Sequence, residues 1–142
     1  MTDDKLTTAD YPLAERRPDL VEGPRGKHLD EITLDAVIAG DVGIEDLRIT
    51  ADALMKQAAI ARDAGRPMLA GNLERASELV AVPQDVVMRV YELLRPGRAA
   101  DRATLEDAAA MLRATYGAER MARFVEEAAD VYARRGLFRK RF

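Results

Sequence analysis

The chain has 142 residues, a formal net charge of −3 and no cysteine. That length suits one modest domain, and the slightly acidic balance gives no global attraction to nucleic acid. The missing cysteine excludes disulfides, thiol nucleophiles and thiolate metal sites and fits a cytosolic setting.

Hydrophobic residues make up 48% of the chain, but alanine supplies much of that share. Alanine favours helix and buries little area. Large apolar side chains are therefore few and an isolated core is marginal. A persistent partner would supply the missing burial; the bland alternative is an ordinary Ala-rich helical protein. No apolar run approaches the ~20 residues a membrane helix needs. The opening MTDDKLTTAD lacks both the apolar core of a secretory signal and the basic amphipathic pattern of a transit peptide.

In chain order, residues 1–10 are polar and expected to fray. Tyr11 to Glu31 shows neither helical nor strand periodicity, and Pro12, Pro18, Gly23, Pro24 and Gly26 break any regular element there. Tyr11, Leu13, Leu20 and Val21 are nevertheless apolar, so this stretch reads as an irregular strap lying over something, the competing reading being a disordered tail. Thr33 can cap a short helix over 34–39, stopped by Gly40, with Leu34, Val37 and Ile38 on one face. A connector around Gly43 follows.

The stretch from Leu47 to Pro96 carries three helices. Thr50 caps the first, over 51–64, with Leu54, Ala58 and Ala61 on one face and Ile60 set apart on a second. Pro67 opens the next, which runs to about Val80 with a stripe of Leu69, Leu73, Ala76 and Val80; Glu74 and Glu78 point outward together and read as solvated, the alternative being a basic surface opposite them. Pro83 opens the third, which ends near Arg95. Its apolar face of Val86, Val87, Val90, Tyr91, Leu93 and Leu94 is wider than one neighbour requires. Either this helix is central to its own bundle or it faces both the bundle and a partner. A fourth helix over 103–116 aligns Leu105, Ala109, Leu112 and Tyr116. A fifth over 118–135 carries Met121, Phe124, Val125, Ala128 and Tyr132, with Gly136 as its stop. No run alternates with period two for long enough to form a strand, and there is no internal repeat of fixed period.

No constellation carries chemistry. His28 is the only histidine, it sits between Gly- and Pro-rich segments, and no further ligands stand at metal-site spacing. There is no nucleophile elbow and no Gly-rich phosphate loop. The carboxylate pairs Asp3/Asp4, Asp30/Glu31, Glu45/Asp46 and Glu126/Glu127 are adjacent; neighbours on a helix point ~100° apart, so these read as solvated surface. The tail cluster Arg134, Arg135, Arg139, Lys140 and Arg141 could grip phosphate or an acidic surface, but it reads better as cations complementing a helix C-terminus before fraying.

Laid out whole, the chain resembles the small (gamma) subunit of the adenosylcobalamin-dependent diol and glycerol dehydratases. The residues that carry the resemblance are DYPLA at 10–14, ITL at 32–34, GDVGIEDLRIT at 40–50, QAAIARDAGRPMLAGNLERASELVAVPQDVVMRVYELLRP at 57–96 and FVEEAADVY at 124–132, in the family's order and spacing. GKHLDEITL and GDVG look nearer the glycerol branch. Residues 98–112 match poorly and are about one residue longer than the family pattern. The chain also begins shortly before DYPLA, without the extension that in many diol dehydratase small subunits accompanies low solubility and packaging into microcompartments, which argues against self-targeting.

The resemblance implies a dimer of heterotrimers with large (alpha) and medium (beta) subunits. It implies conversion of 1,2-diols or glycerol to aldehyde and water by radical chemistry. It also implies adenosylcobalamin held between the other two subunits, with no catalytic, cofactor or metal ligand from this one. The expectations are therefore an all-α fold, a small bundle of about four to five helices with an irregular N-terminal arm. Residues 1–32 form the strap and 33–142 the helical domain, a single domain overall. The function expected is that of a non-catalytic assembly subunit of a B12-dependent lyase, the alternative being a free-standing helical adaptor. Tyr11, Leu13, Leu20 and Tyr91 are the expected subunit contacts. The expected location is the cytoplasm, with a microcompartment as the alternative setting and no role for membrane or nucleic acid.

Overall fold

The computed structural model describes residues 5–138. Among these, seven α-helices are joined by loops and short 3-10 turns, with one isolated bridge between Glu22 and His28 and no strand. The all-α class is as expected. The helix count is higher because α1 (Leu13–Arg16) and α2 (Leu34–Ala39) are only one to two turns long. Pro12, expected to break structure, stands at the N-cap of α1. One turn is too short to leave a period in the sequence. Contacts divide the chain into two compact units, Met1–Val80 and Ala81–Phe142.

In the first unit, Thr33 Oγ1 accepts the Ala36 N–H at 3.2 Å and starts α2, which ends at Gly40 with φ 83°. Thr50 Oγ1 accepts the Ala53 N–H at 3.1 Å and starts α3 (Ala51–Asp63). Pro67 supplies the first residue of α4 (Pro67–Leu79). The α3–α4 seam is made of Ala58, Ala61 and Ala70, with Leu73 against them. Helix separation is set by the side chains at the contact, and alanines permit a close one. This corrects the expected stripe on α4: Ala70 and Ser77 are buried, whereas Leu69 and Val80 stay half exposed. One residue turns a helix by ~100°, and alanine enters a tight seam that leucine would overfill. Ile60, off that seam, is buried as well.

The strap is fastened to this hairpin. Asp63 accepts the Thr8 N–H at 2.9 Å and the Thr8 hydroxyl at 3.1 Å, and Lys56 Nζ donates to the Leu20 carbonyl at 3.1 Å. Leu13 of the strap is itself buried, as is Val42.

The second unit contains α5 (Gln84–Leu93), α6 (Arg102–Tyr116) and α7 (Glu119–Arg135). Asp101 caps α6, accepting the Thr104 N–H at 2.9 Å, so the helix begins one residue before the expected 103. Leu105, Leu112 and Val125 are its largest fully buried side chains, each stabilising the fold by about 1.5–3 kcal/mol through burial. On α7 the inward stripe is Ala122, Val125 and Ala129, while Phe124 is partly exposed. The expected stripe kept the larger side chains Met121 and Phe124 and so was rotated. Arg113 bridges α6 to α7, binding Glu126 through two N–H···O bonds of 2.9 and 3.0 Å and Glu119 at 2.6 Å. Arg102 reaches Asp130 at 2.7 Å. The Tyr132 hydroxyl donates to the Leu94 carbonyl, and the Gly97 N–H donates to the Leu137 carbonyl at 2.7 Å, tying the end of α7 to the end of α5.

Candidate subunit interface

The expected contact residues divide by burial. Tyr11 is 60% exposed and Tyr91 59% exposed, so both rings stand in solvent on their own chain. Leu20 is half buried, and Leu13 is buried. The Met88 side chain is exposed with Tyr91 on α5, whereas Val86 and Val90 face inward. The wide apolar face of α5 is thus shared between its own unit and solvent.

A larger exposed apolar surface lies in the first unit. Leu34, Val37 and Ile38, the whole apolar face of α2, are exposed, Ile38 by 76%, and Ile44, Leu47 and Ile49 follow in the same state. None of these had been singled out as contact residues. The signal was present: a six-residue helix is too short to hold by itself, and its apolar residues all fall on one face. Ile49 also lines an open apolar hollow of about 880 Å³, together with Tyr11, Leu69 and Leu73, above a floor that includes Leu54 and Ile60. Gln57 and Arg66 are the polar side chains there besides Thr8, whose groups are taken by Asp63.

Several acidic residues read as solvated are structural. Asp46 is only 2% exposed. Arg25 grips it with both arms of its guanidinium, Nε at 2.7 Å from Oδ1 and Nη2 on Oδ2, and the Gly43 N–H donates to Oδ2 at 2.8 Å. That Arg25 hydrogen bond, followed by the Gly43 N–H, holds the carboxyl down to about 2. The effect is mechanical: strap residue 25 is locked to connector residue 46. Glu74 pairs with Arg62 across the α3–α4 seam rather than standing in solvent. Glu126 belongs to the Arg113 bridge. Glu119 is held below the usual carboxylate range, first by Arg113 and then by Arg123.

No chemistry emerges from these groups. His28 is exposed, its backbone N–H donating to Glu31 at 2.7 Å, beside a hollow of about 450 Å³ with Asp19 and Asp30. Among the described residues no group of three or more His, Cys, Asp or Glu is placed to hold a metal, and no helix is long and apolar enough to cross a membrane. Of the basic tail, Arg134 and Arg135 end α7 and are exposed; Arg139, Lys140 and Arg141, like Asp3 and Asp4, lie outside the described residues.

What remains is a chain whose outward features are apolar surface and internal locks, and comparison with known proteins gives that surface a context. The dehydratase small subunit family matches residues 6–139. The chain belongs to that family. The propanediol dehydratase small subunits of Salmonella typhimurium strain LT2 and Citrobacter freundii are each 45% identical to it, over 130 and 126 residues, spanning 89% of this chain and 73% of each relative. A dehydratase small subunit implies partner subunits, and the exposed apolar residues of both units are where such partners have surface to cover.

Proposed function

We propose that this chain is the non-catalytic small subunit of an adenosylcobalamin-dependent dehydratase acting on propane-1,2-diol or glycerol, in a dimer of heterotrimers with large and medium subunits. Its work is assembly and stability of the complex. The observation that carries this reading is family membership across residues 6–139, joined to exposed apolar side chains on both units. Tyr11, Tyr91 and the half-buried Leu20 are the contacts made with a partner, and the buried Leu13 anchors the strap that carries Tyr11 and Leu20.

The coenzyme belongs to the other subunits. Support for that placement is family membership: the resemblance puts the coenzyme between the large and medium subunits, and the one histidine of this chain stands exposed beside Asp19 and Asp30. Substrate and radical chemistry then reside elsewhere, and this chain acts on turnover only by holding its partners in place.

Co-expression with the large and medium subunits of the same organism, followed by native mass measurement, tests the proposal. Two copies of each chain in one particle is the expected result. A small subunit that remains monomeric beside an assembled large–medium complex would overturn it and favour the free-standing adaptor.

A further inference from the structure

The apolar hollow of the first unit has a charge pattern that describes its occupant. Tyr11, Ile49 and Leu69 form its exposed apolar walls. A monomer seldom leaves such a concave apolar surface uncovered. Among the described residues Arg66 is the one cation that lines it, and no carboxylate does. Three acids of the unit are already engaged: Glu74 with Arg62, Asp46 with Arg25, Asp63 with Thr8. Neither Arg66 nor Gln57 makes a side-chain hydrogen bond or ion pair among the described residues. A buried guanidinium without a partner is costly, so whatever covers the walls must bring an acceptor to Arg66 as it does so.

From this we infer that the hollow seats an apolar segment of a partner subunit of the dehydratase that carries a glutamate or aspartate, with the apolar side chains against Ile49 and Leu69 and the carboxylate on Arg66. This inference rests on the assembly function proposed above. A guanidinium binds a carboxylate with two parallel N–H···O bonds, so the pair fixes register as well as adding affinity. The apolar walls supply area and the charge pair supplies selection.

The test uses the complete complex. Ile49→Asp, Leu69→Asp, Arg66→Glu and Arg66→Lys are each co-expressed with the large and medium subunits, and retention of the tagged small subunit is measured from 50 mM to 1 M NaCl. All three sites are exposed, so helicity and melting of the free variants report that folding is intact. Ile49→Asp and Leu69→Asp should abolish retention. Arg66→Glu should weaken it on the order of ten- to a hundredfold, with Arg66→Lys intermediate and the salt dependence reduced in Arg66→Glu. If the wild-type chain joins the complex and all four variants join equally well, the inference is wrong while the functional proposal stands. If only the aspartate variants fail, the acidic occupant is wrong and the inference falls. If the wild-type chain itself does not join, both fall.

Discussion

Two glycines in the first unit are expected to respond to the same substitution with opposite signs. A Cβ placed on Gly23 would lie 2.5 Å from the carbonyl oxygen of Asp46 and 3.3 Å from its carbonyl carbon. Both are backbone atoms, and ordinary contact begins at 3.4 Å, so the strap would have to retreat by about 0.9 Å. Arg25 lies two residues on, and its Nε sits 2.7 Å from Asp46 Oδ1, so the same retreat stretches the fork that fastens the strap. Forced overpacking of this kind costs about 1–3 kcal/mol, or roughly 3–10 °C in Tm for a chain of this size. Gly43 has nothing within 4 Å of its Cβ position and an extended backbone, φ −122° and ψ −179°. Gly43→Ala keeps the N–H that Asp46 accepts and restricts the unfolded chain, so it should be neutral or stabilising by up to about 1 kcal/mol. Thermal unfolding followed by circular dichroism, with limited trypsin cleavage mapped at Arg25 and Lys27, reads both effects. Gly23→Ala should melt earlier and be cut faster in the strap, and Gly43→Ala should do neither. Equal behaviour of the two variants would refute the close approach of strap and connector.

Leu105→Ala removes a side chain that is 0% exposed and should cost about 2–5 kcal/mol, seen as a lower urea midpoint at unchanged slope. The Asp46 carboxyl is depressed to about 2 in the fold against about 3.9 unfolded. Its contribution is therefore complete above pH ~4 and is lost as pH falls toward 2. The Tm difference between wild type and Asp46→Asn should narrow across that window, and a constant difference would argue against the lock. Tyr11→Ala and Tyr91→Asp should weaken co-purification with the partner subunits more than they change the helicity of the free chain.

The helix boundaries were legible because capping is local chemistry. Thr33, Thr50, Pro67, Gly40 and Gly136 act where their types and spacing placed them. Asp101 carried the same signal three residues before Thr104 and was passed over inside a charged stretch. Inward faces were less legible in proportion to alanine content. Where Ala70 and Leu69, or Ala122 and Met121, adjoin, size favours the wrong neighbour, and only the partner helix shows which fits. Asp46 could not be read from its surroundings, since its partner Arg25 is 21 residues away and reaches it only through the strap's path. The exposed apolar surface was partly legible. Exposed Tyr11 and Tyr91 came from asking why apolar residues stand in irregular or overly wide apolar contexts. The same question put to α2 would have found Leu34 and Ile38.

The central claim, that this chain enables a reaction it does not perform, is most directly tested by reconstitution. Large and medium subunits are supplied with coenzyme and propane-1,2-diol or glycerol, and aldehyde formation is followed with and without this chain. Activity that is low and short-lived without it, and restored in proportion to the chain added up to one copy per large subunit, is the predicted result. Full and lasting activity of the large and medium subunits alone would contradict it.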